Sequence, residues 1–224
     1  MRASNHLGWA VGERTVDDTV VDQLLKIFSD ESAVPTGRGG IRNILDHEIV
    51  RGLARESAVR SMVESELGSH AFPCRAILFD KTPEANWKVV WHQDLTIAVR
   101  ERIEQPGFGP WSQKVGTPHV QAPSHLLERM LAVRVHLDDC GADNGPLQVL
   151  PGSHRAGKLS PVEIDEWRQR VAPVDCLALR GSVLAFKPLL LHRSSRAAAP
   201  NHRRVVHLEF ASSELPGALE WHSR

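Results

Sequence analysis

The chain has 224 residues, a length that suits one domain of ordinary to large size. Its 27 basic and 27 acidic residues balance, which argues against nucleic acid or an anionic membrane as a bulk partner. Three widely spaced cysteines without a C-x-x-C pair indicate reduced thiols rather than a zinc ribbon or a disulfide framework. No signal peptide and no membrane-spanning run is evident, so we expect a cytoplasmic protein that is a monomer or a weak homodimer.

The first third of the chain predicts helices. Thr15 is a candidate N-cap, with Asp17 and Asp18 in the first turn, where the helix dipole favours negative charge. Ser57 is a second candidate N-cap, and Gly68 is placed to end that helix. The two apolar stripes at helical spacing are Val20, Val21, Leu24, Leu25 and Phe28, then Val59, Met62, Val63 and Leu67. The break between the helices is rich in glycine, at Gly37, Gly39 and Gly40.

From Cys74 onward, short apolar segments alternate with turn residues, which predicts strands. The candidate strands are 75–79, 89–92, 96–99, 130–137, 147–150, 176–179, 182–186 and 203–211. Tight turns are expected at 143–145 and 151–153, and a short surface helix at 162–170.

Helices followed by many short strands predict an α+β fold. We expect a double-stranded β-helix, that is a cupin-like jelly-roll barrel, with the N-terminal helices packed on one sheet. The whole chain, 1–224, is interpreted as a single domain, with 1–70 mainly helical and 74–212 forming the jelly-roll core.

The triplet His92-Gln93-Asp94 stands at the end of a strand-like run. Residues two apart on a strand share a face, so His92 and Asp94 are predicted to bind one metal ion together. A histidine from a distant strand, His192, would complete a facial triad of two histidines and one carboxylate, which suits Fe(II) with open positions for substrate and oxygen.

The triplet is weak evidence by itself, because roughly 0.6 H-x-D triplets are expected by chance in such a chain. His136-Leu137-Asp138 is a second one, and His207-Leu208-Glu209 is similar. Each can be a histidine that merely lies beside an acid. Context ranks His92 and Asp94 first, His207 and Glu209 as lining of the site, and His136 with Asp138 as structural.

His192 follows the apolar run 188–191, which we expect to be a buried strand that carries the imidazole at its end. Ser194 shares its face, and an arginine after the next loop can anchor a carboxylate by paired hydrogen bonds. Strand alternation favours Arg203 over Arg204 for this role. The strand face that carries Arg203 is predicted to be a polar cavity wall, formed by Arg203, Val205, His207 and Glu209.

Together these stretches resemble the phytanoyl-CoA dioxygenase family of Fe(II)/2-oxoglutarate oxygenases, in a short bacterial form. The matching segments are WHQDLTIAV at 91–99, NGPLQVLPGSHRAG at 144–157, and LLLHRSSRA through HRRVVHLEF within 189–210. The four motifs occur in order, which is far more specific than any one triplet. They cover most of the chain from about residue 74 onward.

The resemblance implies roles for individual residues. His92, Asp94 and His192 would be the iron ligands. Arg203 would bind the distal carboxylate of 2-oxoglutarate, and Ser194 would assist it. The remaining candidates for cosubstrate binding are Arg134, which replaces the family's usual aromatic, and Lys81 and Asn86 of the KTPEANW segment.

The implied activity is hydroxylation, or another oxidation, of an unactivated C–H bond of a small molecule. Fe(II), 2-oxoglutarate and O2 would be required, and 2-oxoglutarate would be decarboxylated to succinate. Because Asp94 keeps the carboxylate that related halogenases lack, oxygen insertion or desaturation is favoured over halogenation. Two alternatives stay open: a non-catalytic metal-binding jelly-roll protein, and a cupin-type metalloenzyme that does not use 2-oxoglutarate.

Two groups of residues are candidates for the mouth of the site. One segment between strands is expected to form a lid or mouth loop, with Trp111, Lys114, His119 and Gln121. Arg100 and Arg102 follow the metal strand and either meet an anionic or polar substrate or form a solvated rim. The family name is not evidence for the substrate, since no acyl-carrier or CoA-binding extension is evident.

Overall fold

The computed structural model describes residues 6–28 and 40–224. The helices are α1 (Asp18–Phe28), α2 (Glu48–Leu53), α3 (Ser57–Leu67), α4 (Ser124–Leu127) and α5 (Pro161–Arg170). The N-terminal strands are β1 (Trp9–Thr15), β2 (Ile41–Arg42), β3 (Phe72–Lys81), β4 (Val89–His92), β5 (Thr96–Ala98), β6 (Trp111–Lys114) and β7 (Thr117–Gln121). The remaining strands are β8 (Met130–His136), β9 (Leu147–Val149), β10 (Val174–Cys176), β11 (Ser182–Phe186), β12 (His192–Ser194) and β13 (Arg203–Ala211). In this part of the chain, no helix is long and apolar enough to cross a bilayer.

The strands form antiparallel sheets of six, four and three strands. The six-stranded sheet has the order β1-β11-β8-β13-β3-β2, and the four-stranded sheet has the order β10-β9-β12-β4. The small sheet has the order β5-β7-β6. These sheets confirm the predicted double-stranded β-helix.

The N-terminal helices pack on one face of the six-stranded sheet, as predicted. Their apolar stripes meet the even-numbered residues of β13, which are Val206, Leu208 and Phe210. The odd-numbered residues of β13 point the other way, into the space between the large sheets. One sheet therefore has a dry face toward the helices and a polar face toward a cavity, because successive side chains of a strand alternate.

The helix boundaries correct two predicted caps. Thr15 ends strand β1, and the side chain of Asp17 instead accepts a 2.8 Å hydrogen bond from the backbone N–H of Thr19. Ser57 is the first residue of α3 and makes no cap, since Glu56 precedes it without a side-chain bond. Gly68 ends α3 with φ 85°, as expected. Gly37 and Gly39 lie outside the described residues.

Three predicted strands, 89–92, 182–186 and 203–211, have the predicted bounds. The segment predicted at 176–179 is shifted, because β10 ends at Cys176. The first third also contains β1 and β2, so it is less purely helical than expected. The segment expected to be a mouth loop is the hairpin β6–β7. That residues 1–224 form one domain stays a prediction.

The apolar run before His192 is not a strand. Residues 188–190 form a turn, in which the N–H of Leu190 donates to the carbonyl of Lys187 at 2.9 Å, and β12 begins at His192 itself. The run is apolar because it is buried between packed layers, where Leu189 is 1% exposed and Leu190 and Leu191 are 0% exposed. Burial alone does not distinguish a strand from a buried turn.

The turn at 143–145 also differs from the expected tight hairpin turn. Residues Ala142–Asn144 form a 3-10 turn, and Gly145 follows in the left-handed region with φ 60°. The turn connects β8 of the six-stranded sheet to β9 of the four-stranded sheet. A Cβ at Gly145 would lie 2.6 Å from the carbonyl oxygen of Ser195, so glycine permits a close approach of two chain segments here.

Candidate metal centre

His92 and His192 face each other across two neighbouring strands. They are register partners of the antiparallel pair β4–β12, and their ring centroids are 4.2 Å apart. The carboxylate of Asp94 completes the cluster, with Oδ1 3.6 Å from His92 Nε2 and Oδ2 3.4 Å from His192 Nε2. One potential ligand atom from each residue lies within 4.8 Å of the others. Within the described ranges, this is the group of histidine, cysteine and acidic residues that could hold a metal ion.

Asp94 reaches the cluster from a different position than expected. Strand β4 ends at His92, and Asp94 lies in the segment that follows, where its backbone N–H donates to the carbonyl of Pro188 at 2.9 Å. Gln93 between them is buried and points away: its amide donates to the carbonyls of Gly157 and Leu189, each at 2.7 Å. These backbone contacts fix the direction of the Asp94 side chain without a continuous strand.

A hydrogen bond between Nδ1 and a backbone carbonyl determines the tautomer of each histidine. Nδ1 of His92 lies 2.9 Å from the carbonyl of Val90, and Nδ1 of His192 lies 2.8 Å from the carbonyl of Leu190. A carbonyl only accepts, so each Nδ1 carries the proton and donates it. Both Nε2 lone pairs therefore face Asp94, which is how metal-binding histidines are usually oriented.

The charges within the cluster depend on one another. Burial, aided by the charge of His92, lowers the pKa of His192 to about 3, so this ring is neutral at pH 7. Burial also pushes the pKa of His92 down, but the hydrogen bond and charge of Asp94 raise it above its ordinary value. Burial raises the pKa of Asp94, but the attraction of the protonated forms of His192 and His92 outweighs burial and holds this pKa well below its usual range. A carboxylate between two imidazoles is the donor set expected for Fe(II), so the residues present fit that metal.

Arg203 lies on the opposite wall of the same cavity. Its side chain is 5% exposed, Nη1 donates to the carbonyl of Gly145, and Nη1 is 3.4 Å from Oγ of Ser194. Its Nε has no hydrogen-bond partner among the described residues. Arg204 points away from the cavity and pairs with Asp138, at 2.9 Å from Nε and 2.7 Å from Nη2. The alternation predicted for β13 therefore matches the observed faces.

Lys81 lies beside Arg203 at the end of strand β3. It is the register partner of Arg203, it is fully buried, and its Nζ donates to Ser194 Oγ at 2.7 Å and to the Ser195 carbonyl at 2.6 Å. Burial, followed by the charge of Arg203, lowers the pKa of Lys81 to about 7. Neither cation forms an ion pair with a carboxylate in the part of the chain that the structure describes. Two adjacent cations without a counter-ion suit a bound carboxylate.

Asn86 acts on the loop after β12. Its amide Nδ2 donates to the carbonyl of Ala197 at 3.0 Å, and its Oδ1 accepts from the N–H of the same residue at 2.8 Å. Asn86 and Lys81 do not line the cavity directly, whereas Ser194 does. Asn86 therefore supports the loop, and Lys81 supports Ser194. A direct contact of either residue with a cosubstrate stays a prediction.

Arg134 begins a chain of polar contacts along the cavity. Its Nε donates to Nδ1 of His207 at 3.3 Å, so the His207 proton lies on Nε2, which is 3.5 Å from Oε1 of Glu209. Glu209 in turn accepts from Nη1 of Arg75 at 2.9 Å. The Arg134 guanidinium also lies 5.2 Å from the ring centroid of Phe186. Burial lowers the pKa of Arg134 to about 10, so it stays charged at pH 7.

The cavity encloses about 420 Å³, a volume typical of small-molecule sites. Both sheets and the β6–β7 hairpin contribute to its lining. The charged and polar side chains of its wall, besides those already described, are Arg42, Thr96, Lys114, Gln121 and Arg193. Sequence reasoning missed Arg42, which lies on a two-residue strand, and Arg75, although Arg75 shares a strand face with Lys81 and alternation could have indicated it.

The comparisons with known proteins agree with this geometry. The model of the phytanoyl-CoA dioxygenase (PhyH) family matches residues 18–205. The chain belongs to the phytanoyl-CoA dioxygenase family. This confirms the resemblance found in the sequence, and the family uses Fe(II), 2-oxoglutarate and O2.

Two curated relatives are the peroxisomal phytanoyl-CoA dioxygenases of Mus musculus and Rattus norvegicus. The mouse protein is 30% identical over 106 residues, which is 41% of this chain and 30% of that protein. The rat protein is 26% identical over 186 residues, which is 75% of this chain and 47% of that protein. The chain thus spans less than half the length of these relatives of the family.

Two solved structures share the fold. EctD from S. alaskensis, solved with 2-oxoglutarate and 5-hydroxyectoine, has a TM-score of 0.70 at 20% identity and is covered over 74% of its chain and 94% of this one. SnoK, a non-haem alpha-ketoglutarate-dependent carbocyclase from nogalamycin biosynthesis, has a TM-score of 0.71 at 13% identity, with 85% of its chain and 97% of this one covered. At these identities the likeness establishes the family's barrel and not the substrate.

Four other residues singled out in the sequence do not line the cavity: His136, Asp138, Arg100 and Arg102. His136 is buried, and burial together with the charge of Arg134 lowers its pKa to about 3, while Asp138 holds Arg204. Asp138 thus makes a structural contact, as expected, whereas neither ring nitrogen of His136 has a hydrogen-bond partner among the described residues. Arg100 and Arg102 pair on the surface with Glu220 and Glu104 and do not line the cavity. Their exposed ion pairs agree with the solvated rim, and a contact with a substrate stays a prediction.

Proposed function

We propose that this family member is a non-haem Fe(II)/2-oxoglutarate-dependent oxygenase that hydroxylates an unactivated C–H bond of a small molecule. 2-Oxoglutarate would be decarboxylated to succinate as the substrate is oxidised. The observation that carries the proposal is the convergence of His92, Asp94 and His192 in a cavity whose opposite wall holds Arg203. His92, Asp94 and His192 would hold the iron through two Nε2 atoms and one carboxylate.

Arg203 would bind the distal carboxylate of 2-oxoglutarate. Its guanidinium is buried and already held in place by Gly145 and Ser194, so little side-chain entropy is lost on binding. Ser194 Oγ lies between Arg203 and Lys81 and can contribute a hydrogen bond to the same group. Positive charge at this wall matches the dianion and fixes its orientation in the cavity.

Bound iron and 2-oxoglutarate supply the oxidising power, and the protein supplies orientation and exclusion of water. The carbonyls of Val90 and Leu190 keep both Nε2 lone pairs directed at Asp94. Phe186 packs against His192 with centroids 4.9 Å apart and supports that ring from behind. Phe79, Leu147 and Val205 give the cavity an apolar side. In this arrangement no protein side chain needs to act as a nucleophile or general base.

The first test asks whether the three residues bind iron as a unit. Without oxygen, Fe(II) and 2-oxoglutarate should give the weak visible charge-transfer band of the chelate, and Asp94→Ala should abolish or strongly weaken it, because one of three ligands is lost. Asp138→Ala is the matched control, since it removes the acid of the other H-x-D triplet. The control should keep the band even though it leaves Arg204 without its partner. An unchanged band in Asp94→Ala would disprove the ligand set.

The same titration tests the cosubstrate anchor. Arg203→Ala should weaken 2-oxoglutarate binding at least tenfold while metal binding is kept, because truncating a buried charge partner costs about 2–5 kcal/mol. Arg204→Ala, one position along the same strand, should leave this affinity unchanged. Equal losses in both variants would argue against the assignment of Arg203.

A succinate-release assay across a panel of small metabolites tests the reaction. Metal binding without any succinate would favour the non-catalytic jelly-roll protein. Product formation that is unaffected by omitting 2-oxoglutarate would favour the cupin-type metalloenzyme.

A further inference from the structure

The end of the cavity that lies away from Arg203 has its own group of charged residues. Glu209 lies six residues after Arg203 on β13, which corresponds to roughly 20 Å along a strand. Arg75 is its register partner on β3, and Arg42 pairs with Ile77 of the same strand. His207 lies between these ends on β13, and Phe186 packs against both His207 and His192, with ring centroids 6.0 Å and 4.9 Å away. The proposed iron site therefore lies between two separate cationic regions.

The far region contains three cations and one carboxylate. Arg75 and Glu209 form a buried ion pair, with side chains 10% and 9% exposed. Lys114, on the β6–β7 hairpin, reaches Thr96 Oγ1 at 3.3 Å, and Nη1 of Arg42 is buried without a hydrogen-bond partner in the described ranges. No ion pair links Arg42 or Lys114 to a described carboxylate. Glu209 pairs directly with Arg75, so three cations around one carboxylate leave the region with an excess of positive charge.

Local contacts hold these two cations near each other. Asn43, directly after Arg42, donates from Nδ2 to Thr117 Oγ1 of the hairpin at 3.0 Å. Thr117 is the register partner of Lys114. The hairpin and strand β2 are therefore fixed to each other beside the cavity, and both side chains line it.

The cations influence one another electrostatically. Burial, and then the charge of Arg75, lowers the pKa of both Arg42 and Lys114. Bringing like charges together in a partly buried place costs free energy unless an anion binds there. Guanidinium and ammonium donors around one space are a common way to bind a carboxylate or a phosphate.

We propose that the substrate of this site is a small organic acid whose carboxylate or phosphate binds to Arg42 and Lys114. This rests on the proposed function, and it adds the substrate class. The acid would enter beside the β6–β7 hairpin, with its anionic group at Arg42 and Lys114 and a C–H bond some atoms away directed at His92, Asp94 and His192. Arg203 at the other end, with Lys81 behind Ser194, stays available for 2-oxoglutarate.

The binding test uses small probes and a double variant. Inorganic phosphate and acetate are titrated by calorimetry into protein saturated with Mn(II) and 2-oxoglutarate, so that the Arg203 end is already occupied. In Arg42→Gln/Lys114→Gln, affinity for at least one probe should fall at least tenfold. Lys26→Gln/Arg100→Gln removes the same charge from exposed positions and should bind as the parent does. Equal binding by the double variant and the control overturns the proposal.

Single variants guard against a folding defect. Thermal unfolding is measured for every variant, and Lys114→Gln, on the edge hairpin, replaces the double variant if that one unfolds. Arg42→Lys keeps the charge and should retain most of the affinity. Loss of probe binding in Arg42→Lys as large as in Arg42→Gln would mean that packing, and not charge, is responsible, which would contradict the proposal.

Turnover separates the possible acids and distinguishes the two proposals. Succinate release is measured with carboxylic acids, their neutral amides and phosphate monoesters. Acids or phosphates, but not amides, should stimulate it, and the active set identifies the anionic group. Stimulation by amides equal to that by acids overturns the inference. If Fe(II) and 2-oxoglutarate give neither band nor succinate, the proposed function fails. Calorimetry on the metal-free double variant and its control, each with Arg203→Ala added so that the Arg203 end cannot bind the probe, still decides the anion site.

Discussion

The pair Lys81 and Arg203 shows how a single buried residue can adjust cosubstrate binding. Lys81 is fully buried and contacts Ser194, which in turn contacts Arg203. A lysine whose pKa is lowered to about 7 by burial and by Arg203 is charged only part of the time near neutrality. A bound carboxylate would raise that pKa again, because it favours the charged form.

This coupling predicts a pH dependence of 2-oxoglutarate affinity. Below about pH 7 Lys81 is charged before binding, whereas above it the free protein must take up a proton when the dianion binds. The dissociation constant should therefore rise by up to about tenfold per pH unit above pH 7. Calorimetric titrations of 2-oxoglutarate into the Mn(II)-loaded protein from about pH 6 to about pH 9 measure the slope.

Lys81→Met is the matched variant for that slope, since methionine keeps an unbranched side chain and removes the charge. It should bind 2-oxoglutarate more weakly at pH 6 and show a flat profile. A slope that persists in Lys81→Met would assign the proton to another group.

At the scale of elements, the strands that can be predicted best from the sequence are long and alternate between polar and buried apolar residues. β13 alternates polar and apolar side chains over its whole length, so both its bounds and its two faces could be predicted. β1 could not, because it is an edge strand in which Val11 is 43% exposed and the apolar pattern is weak. The two residues of β2 are too few for any periodic signal, and Arg42 was missed with them.

The β6–β7 hairpin contains an unusual turn that gives a test of its own. Its central residues, Val115 and Gly116, have φ 50° and 76°, which a two-residue turn of type I′ requires. A β-branched residue adopts positive φ only at a cost of about 1–2 kcal/mol. The turn lacks the usual Asn-Gly signal, which explains why the hairpin was expected to be a loop.

Val115→Asn should therefore stabilise the protein, since asparagine adopts this conformation readily and Val115 is 77% exposed. We expect the free energy of unfolding in urea to rise by about 0.5–1 kcal/mol. Val162→Asn, at a position of α5 that is 69% exposed, is the control and should change stability little, because the two residues have similar helix propensities. A loss of stability in Val115→Asn would show that the valine makes a contact that outweighs the strain.

At the scale of the whole molecule, the site connects the two large sheets. His92 and His192 come from the four-stranded sheet, whereas Arg203, Lys81 and Arg134 come from the six-stranded sheet. The triad could be predicted because its motifs are local and ordered along the chain. The partners of Arg134 and the cations at the far end could not, because they depend on which strands are neighbours and in what register.

The connection between sheets predicts how ligands change thermal stability. Mn(II) should raise the melting temperature alone, and 2-oxoglutarate should add a further increase only when the metal is present, because it would then hold one sheet to the other. At a hundredfold excess over Kd each ligand adds about 2.7 kcal/mol, which for a chain of this size is roughly 5–10 °C. Differential scanning calorimetry of the protein with neither, either and both ligands measures the increments.

Arg203→Ala should keep the increment of the metal and lose most of that of 2-oxoglutarate, whereas Arg204→Ala should keep both. An equal increase from 2-oxoglutarate in the absence of metal would show that it binds away from the metal centre, and the two-sheet site would be wrong.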